Sequence, residues 1–400
     1  MPNIYQRLGV RTIVNAKGPS TRVSGAIMPP QVAAAMQEAS QHCVEMIELQ
    51  GRANEIIAEI TGAEAGYVTS GAAAGLLLGT AACVTGLDPG LMNRLPDTRG
   101  MRNEVVVPRS HRNFYDHAVR AAGVTLVEVG IADRFSGAGM RDTEPWEIVD
   151  AINERTAAVL YVAHPDALPT LSEVTRAVKP TGVPVIVDAA AQLPPRENLR
   201  RFVAEGADLV AFSGGKAIRG PQSSGILCGR RDLIASAALQ NLDHDILFEM
   251  WNPPPSLFDK ASMIGLPQHG IGRSCKVGKE EVVGLLIALR LFAEGDTEEE
   301  GRQWSAMAGE IQQGLQGFSQ IRVELLRDCY RPGVPGVRVI LDEQAAGMTV
   351  PEFIRKLQNG DPPIAVHQGG MREAVVDFNV ICLKPGEPRI ILLRMKELLG

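Results

Sequence analysis

The sequence predicts an α/β protein built on a mainly parallel, doubly wound sheet, and three observations carry that expectation. Short apolar runs without polar alternation recur along the chain, as strands covered on both faces require. Helix-compatible stretches lie between several of them. Chemically capable residues follow directly after some of the runs, at the carboxyl edge where open α/β sheets bind ligands.

Pro29-Pro30 opens a helical stretch that continues through Met36, Val44, Ile47 and Ile57 and stops at Gly62, with Gly51 as a candidate break. Thr69-Ser70-Gly71-Ala72-Ala73-Ala74-Gly75 follows, with Ser70 in position to cap an apolar helix through Leu76, Leu77 and Leu78. Strands are expected at Val105 to Val107, Thr125 to Val129, Ala158 to Val162, Val183 to Val187, Leu209 to Phe212 and Gly225 to Leu227. Pro253-Pro254-Pro255 marks an irregular stretch. From about Lys279 a long helix leads into a different, smaller α+β domain. The expected division is therefore a helical segment over 1–60, a large domain over 61–278 and a small domain over 279–400.

Four hundred residues, 45% of them apolar, allow a sizeable core. Forty basic against 46 acidic residues give a net charge of −6 without long like-charge runs, which argues against nucleic acid as a partner. Glu298-Glu299-Glu300 reads as a solvated helix start. No apolar segment follows a basic start and none is long enough to span a bilayer, so a cytoplasmic protein with no membrane partner is expected. Six scattered cysteines suggest neither a zinc site nor a disulfide framework, and no metal is expected.

The chemistry concentrates in two places. Asp188 ends Val185-Ile186-Val187, and Lys216 follows 28 residues later in Ser213-Gly214-Gly215-Lys216, after a second apolar run. An amine able to form a Schiff base and a carboxylate able to keep a ring nitrogen protonated are the two needs of pyridoxal 5'-phosphate. Its phosphate needs amide donors, which Ser70, Gly71 and Ala72 supply at a helix start, with Ser213 as a further ligand. His111, in Ser110-His111-Arg112-Asn113-Phe114-Tyr115, can stack on the ring and shuttle protons, with Phe114 and Tyr115 as rivals. The small residues Ala189, Ala190 and Ala191 let a flat ring pack beside Asp188.

These residues resemble the selenocysteine synthase-like branch of the fold-type-I pyridoxal phosphate enzymes. The carriers are Arg7-Leu8-Gly9-Val10-Arg11, Thr61-Gly62-Ala63-Glu64-Ala65, the Thr69–Ala74 loop, Val185 to Ala191, Ser213-Gly214-Gly215-Lys216 with Arg219-Gly220-Pro221-Gln222, and Lys276-Val277-Gly278-Lys279-Glu280-Glu281. The resemblance implies an aspartate aminotransferase-like fold with a seven-stranded large-domain sheet. It also implies a Schiff base at Lys216, a ring-nitrogen partner at Asp188, phosphate contacts at Ser70 to Ala72 and a stacked His111. Members acting on transfer RNA are longer, so the better match is to shorter relatives similar to D-glucosaminate-6-phosphate ammonia-lyase. Ser274-Cys275 departs from the Pro-Met type pair of the family.

The implied activity is α,β-elimination from a 2-amino-3-hydroxy acid or an amino sugar acid, with Lys216 removing the α-proton. Racemisation, with His111 as a second acid, and aldol cleavage use the same intermediate. A non-catalytic protein keeping the fold is the alternative outside enzymology. A nucleotide-binding enzyme is disfavoured because no strand-linked glycine or phosphate-loop motif is present. The substrate carboxylate calls for an arginine fork: Arg273 first, then Arg22 and Arg394, with His269 and Gln50 as further contacts. Arg273 lies in a glycine-rich stretch that, in fold-type-I dimers, can reach the neighbouring subunit's site, so a homodimer or higher homo-oligomer with shared active sites is expected.

Overall fold

The computed structural model describes residues 2–131, 143–329 and 331–400. The chain forms two compact units, Met28–Ala293 and a second made of Met1–Ile27 together with Glu294–Gly400. The first strand, β1 (Val14–Ala16), belongs to the second unit. The larger unit holds β2 (Ala65–Thr69), β3 (Glu104–Pro108), β4 (Thr125–Val129), β5 (Thr156–Val162), β6 (Val185–Asp188), β7 (Leu209–Ser213) and β8 (Gly225–Gly229).

These seven form one sheet in the order β2-β8-β7-β6-β5-β3-β4, parallel from β7 to β4, with β8 antiparallel to both neighbours. The mainly parallel seven-stranded sheet expected from the sequence is present. Successive residues of its central strands feed two different apolar clusters. Val106, Val159, Val185, Val187, Val210 and Phe212 lie in one. Val105, Val107, Leu160, Ile186, Leu209 and Ala211 lie in the other. A strand buried on both faces has no polar side, and that is why the runs lack alternation.

β2 was not among the expected strands, because Ala65-Gly66 has weak strand propensity. Gly66 is nonetheless required, since a Cβ there would stand 2.2 Å from Ile57 Cγ2. β2 is an edge strand, and its outer backbone groups are satisfied by side chains of the Met46–Thr61 helix. Gln50 receives the Val68 N–H at 3.1 Å and donates to its carbonyl at 2.9 Å, while Asn54 accepts from Gly66 N–H at 2.8 Å.

Two boundaries differ from the sequence reading. The first helical stretch breaks between Pro30–Ala39 and Met46–Thr61, whereas Gly51 sits inside the second helix where a Cβ would stand 2.5 Å from Pro254 Cγ. The helix Lys279–Glu294 buries Val282, Leu285, Leu286, Ala288 and Leu289 in the larger unit's core, so a boundary at 279 does not match the packing.

The second unit contains β9 (Ile321–Leu326), β10 (Gly336–Leu341), β11 (Ile364–Val366) and β12 (Val375–Asn379). An antiparallel sheet runs β12-β10-β9, and β1 pairs in parallel with β11. That pairing is what attaches residues 1–27 to the C-terminal elements, and Val14 and Ala16 join the same buried cluster as Ile364, Val366 and Phe378.

Candidate active site

In the larger unit β2, β3, β5, β6 and β7 point the same way, so their carboxyl ends share one edge of the sheet. Asp188 is the last residue of β6 and lies opposite Val162 of β5. It is buried, and its Oδ1 accepts the Ala190 N–H at 3.0 Å. Burial pushes its pKa up, opposed by that hydrogen bond and by the Lys216 ammonium close enough to be felt. The acid and the amine therefore share one pocket of electrostatic influence, as a ring held between them requires.

Lys216 is half-buried in a tight turn after β7. Gly214 N–H donates to Ser224 O, Arg219 N–H to Lys216 O and Gly220 N–H to Gly214 O, each at 2.9 Å. A Cβ on Gly214 would lie 2.2 Å from Ser224 Oγ, and one on Gly215 would lie 2.6 Å from Gln222 Cα. The glycine pair lets the backbone fold this closely, with Arg219 in the left-handed region at φ 61°.

The helix Ala72–Thr85 starts beside this turn, and its N-cap is Gly71, not Ser70. Ser70 uses its hydroxyl elsewhere, donating to the Cys275 carbonyl at 2.9 Å. Gly75 N–H closes the first helical bond to Gly71 O at 3.0 Å, so the N–H groups of Ala72, Ala73 and Ala74 precede the hydrogen-bonded ladder. Gly71 has φ 143°, and a Cβ there would meet open space. Gly225 pairs with both Thr69 and Ser213, and a Cβ on it would press to 2.5 Å from Gly71 C and 2.7 Å from Ala72 N. Ser213 and the Ser70–Ala72 segment thus flank one glycine.

His111 is buried after β3, and its Nδ1 accepts the Val162 N–H at 3.2 Å, which assigns the proton of the neutral ring to Nε2. The ring meets Tyr161 edge-on, with centroids 4.7 Å apart. Phe114 is 93% and Tyr115 56% exposed, so of the three rivals only His111 is held in the interior beside the Asp188 strand pair. Ala189 is buried and Ala190 half-buried.

The substrate candidates are dispersed. Arg273 donates to Asn241 O at 3.2 Å and to the Asp243 carboxylate at 2.9 Å, while His269 faces Asp245 at 3.4 Å. Gln50 is fully buried on the β2 edge, a position that commits both ends of its amide to Val68. Arg22 and Arg394 belong to the second unit. Arg394 holds Asp361 O at 3.0 Å and Glu397 at 2.8 Å, whereas Arg22 is exposed in the Thr21–Val23 turn.

Asn241 went unnoticed in the sequence. Its side chain accepts from Tyr67 OH at 2.9 Å and donates to Gly272 O at 2.8 Å and Cys275 O at 3.2 Å, tying β2 to the segment that receives Ser70. A lone polar residue at the end of the Arg231–Asn241 helix carries no sequence signal for this.

The residues present fit pyridoxal 5'-phosphate: an amine within electrostatic reach of a buried acid, a helix start whose first amides precede the hydrogen-bonded ladder, open space beside Gly71, and small residues beside the acid. Among the described residues no cluster of His, Cys, Asp or Glu is placed to hold a metal, and no helix is long and apolar enough to cross a membrane.

Comparison with known proteins agrees with this geometry. D-glucosaminate-6-phosphate ammonia lyase from Salmonella typhimurium is 29% identical over 405 residues, spanning 99% of this chain and 98% of that protein. The solved structure of a D-glucosaminate-6-phosphate ammonia-lyase superposes with a TM-score of 0.81, covering 100% of this chain and 98% of that one. A 5'-C-glycyluridine monooxygenase-decarboxylase from a Streptomyces species is 30% identical over 99% of this chain and 92% of its own length. A cysteine desulfurase from Thermococcus onnurineus, at 17% identity and a TM-score of 0.55, shares the fold. The pattern of the SelA family, L-seryl-tRNA selenium transferase, matches residues 47–246, half of the sequence and the part that carries the sheet, the helix start at Gly71, Asp188 and Lys216. The chain belongs to the SelA family, on the fold of the fold-type-I pyridoxal phosphate enzymes.

Proposed function

We propose that this chain is a pyridoxal phosphate-dependent ammonia-lyase acting on a 2-amino-3-hydroxy acid of the amino sugar acid type. The observation that carries the reading is the buried Asp188 within electrostatic reach of Lys216 at the carboxyl edge of the sheet. Similarity over the whole length to an ammonia lyase supports elimination as the reaction. Bound, the cofactor supplies an electron sink for the α-carbon.

The protein supplies the rest. Asp188, as a carboxylate, holds a proton on the ring nitrogen. Ser70, Gly71, Ala72 and Ser213 hold the phosphate, and Ala190 and His111 bound the ring. Lys216 Nζ takes the α-proton and, once protonated, is an acid for the departing β-hydroxyl. Loss of water across the α,β bond and hydrolysis of the resulting imine balance to a 2-oxo-3-deoxy acid and ammonia. Arg273, with His269 beside it, binds a substrate carboxylate only by exchanging it for Asp243; Arg22 and Arg394 are the other arginines for that role. The enzyme works in the cytoplasm as a homodimer or higher homo-oligomer. Its six cysteines are scattered along the sequence with no close pair, which supports a reducing compartment. Leu247, Met250 and Ile264, exposed at 71%, 71% and 84%, support assembly.

The test is incubation of the cofactor-loaded protein with D- and L-2-amino-3-hydroxy acids and amino sugar acids, followed by assay of 2-oxo acid, ammonia, optical rotation and oxygen uptake. Equimolar ammonia and 2-oxo acid without oxygen uptake is the expected result. Rotation change without ammonia would make it a racemase, and glycine plus an aldehyde an aldolase. Oxygen uptake with release of carbon dioxide would place it beside the glycyluridine enzyme. Undiminished turnover in Lys216→Ala would remove the proposed base.

A further inference from the structure

The second unit carries a group of cationic and donor side chains outside the residues assigned above to the cofactor. β1 and β11 pair in parallel through Ala16 and Val366, so Lys17 and His367 leave the ends of the two strands side by side. Both are half-buried. Lys17 is close enough to Arg22 and to His367 for each pair to feel the other's charge. Burial and the Arg22 guanidinium push the lysine pKa down, and burial followed by the Lys17 ammonium does the same to His367.

The loop that brings these groups together is built rather than loose. Buried Asn15 donates to the carbonyls of Gly18 at 3.2 Å and Gly25 at 3.3 Å and accepts the Lys17 N–H at 3.1 Å. Gly25 N–H closes the loop on Ser20 O at 2.9 Å, around the turn Thr21–Val23 that holds Arg22. His367 Nδ1 accepts the Gly369 N–H at 3.2 Å, so its Nε2 carries the proton and donates. The neighbouring carboxylate, Asp377, is already taken by a two-point pair with Arg338 at 2.8 and 2.9 Å. Among the described residues neither Lys17 nor Arg22 has a carboxylate within ion-pair range. Two positive charges held together at a strand end, beside a histidine N–H and with the neighbouring carboxylate already paired to Arg338, are complementary to a dianion.

We propose that Lys17, Arg22 and His367 form a binding subsite for a phosphate monoester. Two cations match its two charges, and three donor groups match its three terminal oxygens. A carboxylate would leave one charge and one donor unanswered. The subsite stands on this cluster alone, within the second unit.

The test uses the cofactor-loaded enzyme, whose own phosphate cradle is filled, and three ligands that lack an amine and cannot react at Lys216. Titration calorimetry with D-gluconate 6-phosphate, D-gluconate and inorganic phosphate is run on the native protein, Lys17→Met and Arg22→Met. Binding of the phosphorylated acid at least tenfold tighter than of gluconate, with each substitution weakening it about tenfold or more while visible absorbance and far-ultraviolet dichroism stay unchanged, is expected. Equal affinity for the two acids, or native affinity in both variants, overturns the subsite. Phosphate-dependent binding without turnover of any amino acid would sink the lyase reading and leave the subsite standing.

Discussion

Asp188 shows how one buried group links cofactor and stability. Its folded-state pKa is raised by burial, so the folded protein holds that proton more tightly than the unfolded chain does. That contribution is present below the unfolded carboxylate pKa of about 3.9 and is lost as pH rises through the raised folded value. At neutral pH the ionised acid therefore weakens the apoprotein and waits for a cation to offset it. Asp188→Asn is expected to raise the melting temperature of the apoprotein at pH 7 while lowering turnover by about 10²-fold or more. Thermal melts with and without cofactor read both signs, and a lowered apoprotein melting temperature contradicts this account.

His244 acts in the opposite direction of pH. It is buried, meets Trp251 edge-on at 6.5 Å, and its Nε2 lies 2.9 Å from Leu239 O. Burial pushes its pKa down. A lowered histidine pKa means the unfolded chain binds the proton first, so stability is intact above about 6.5 and falls as pH drops below that value. The drop in melting temperature between pH 7.5 and 5.5 is expected to shrink in His244→Gln, measured against the native protein.

At the scale of elements, the central strands and the lysine turn were legible because each follows a local rule. β6 is all apolar until Asp188, and the Gly214-Gly215 pair announces a tight turn before Lys216. β2 was not legible, because its stability comes from partners distant in sequence. Gln50, read as a ligand contact, is a substitute for the missing neighbour strand. Gln50→Leu is expected to leave Val68 N–H and C=O unpaired and to cost about 1–3 kcal/mol in denaturant unfolding, with an unchanged KM. A raised KM at native stability would restore Gln50 to the site. Gly225→Ala tests the cradle from the opposite side. The added methyl meets backbone atoms of Gly71 and Ala72 that cannot give way, so cofactor affinity is expected to fall more than tenfold in absorbance titrations while the sheet remains folded.

At the scale of the whole molecule, the division of the chain follows packing rather than sequence order. Residues 1–27 complete the C-terminal unit through the pairing of β1 with β11. Val14 is 3% exposed in that unit's core, so Val14→Asp is expected to cost roughly 3 kcal/mol or more and to release amide protection in β9 to β12 before the seven-stranded sheet. Simultaneous loss in both units would mean that they unfold as one.

The sequence by itself determined the sheet class and the cofactor, and it marked the lysine, aspartate and glycine positions proposed to serve it. Each of these is written within a few residues as a strand, a turn or a helix start. Tertiary structure alone decided that Gly71 rather than Ser70 caps the helix, that Arg273 is paired with Asp243, and that Lys17 stands beside His367. Such relations join residues tens to hundreds of positions apart, and only the folded chain sets which donors meet which acceptors.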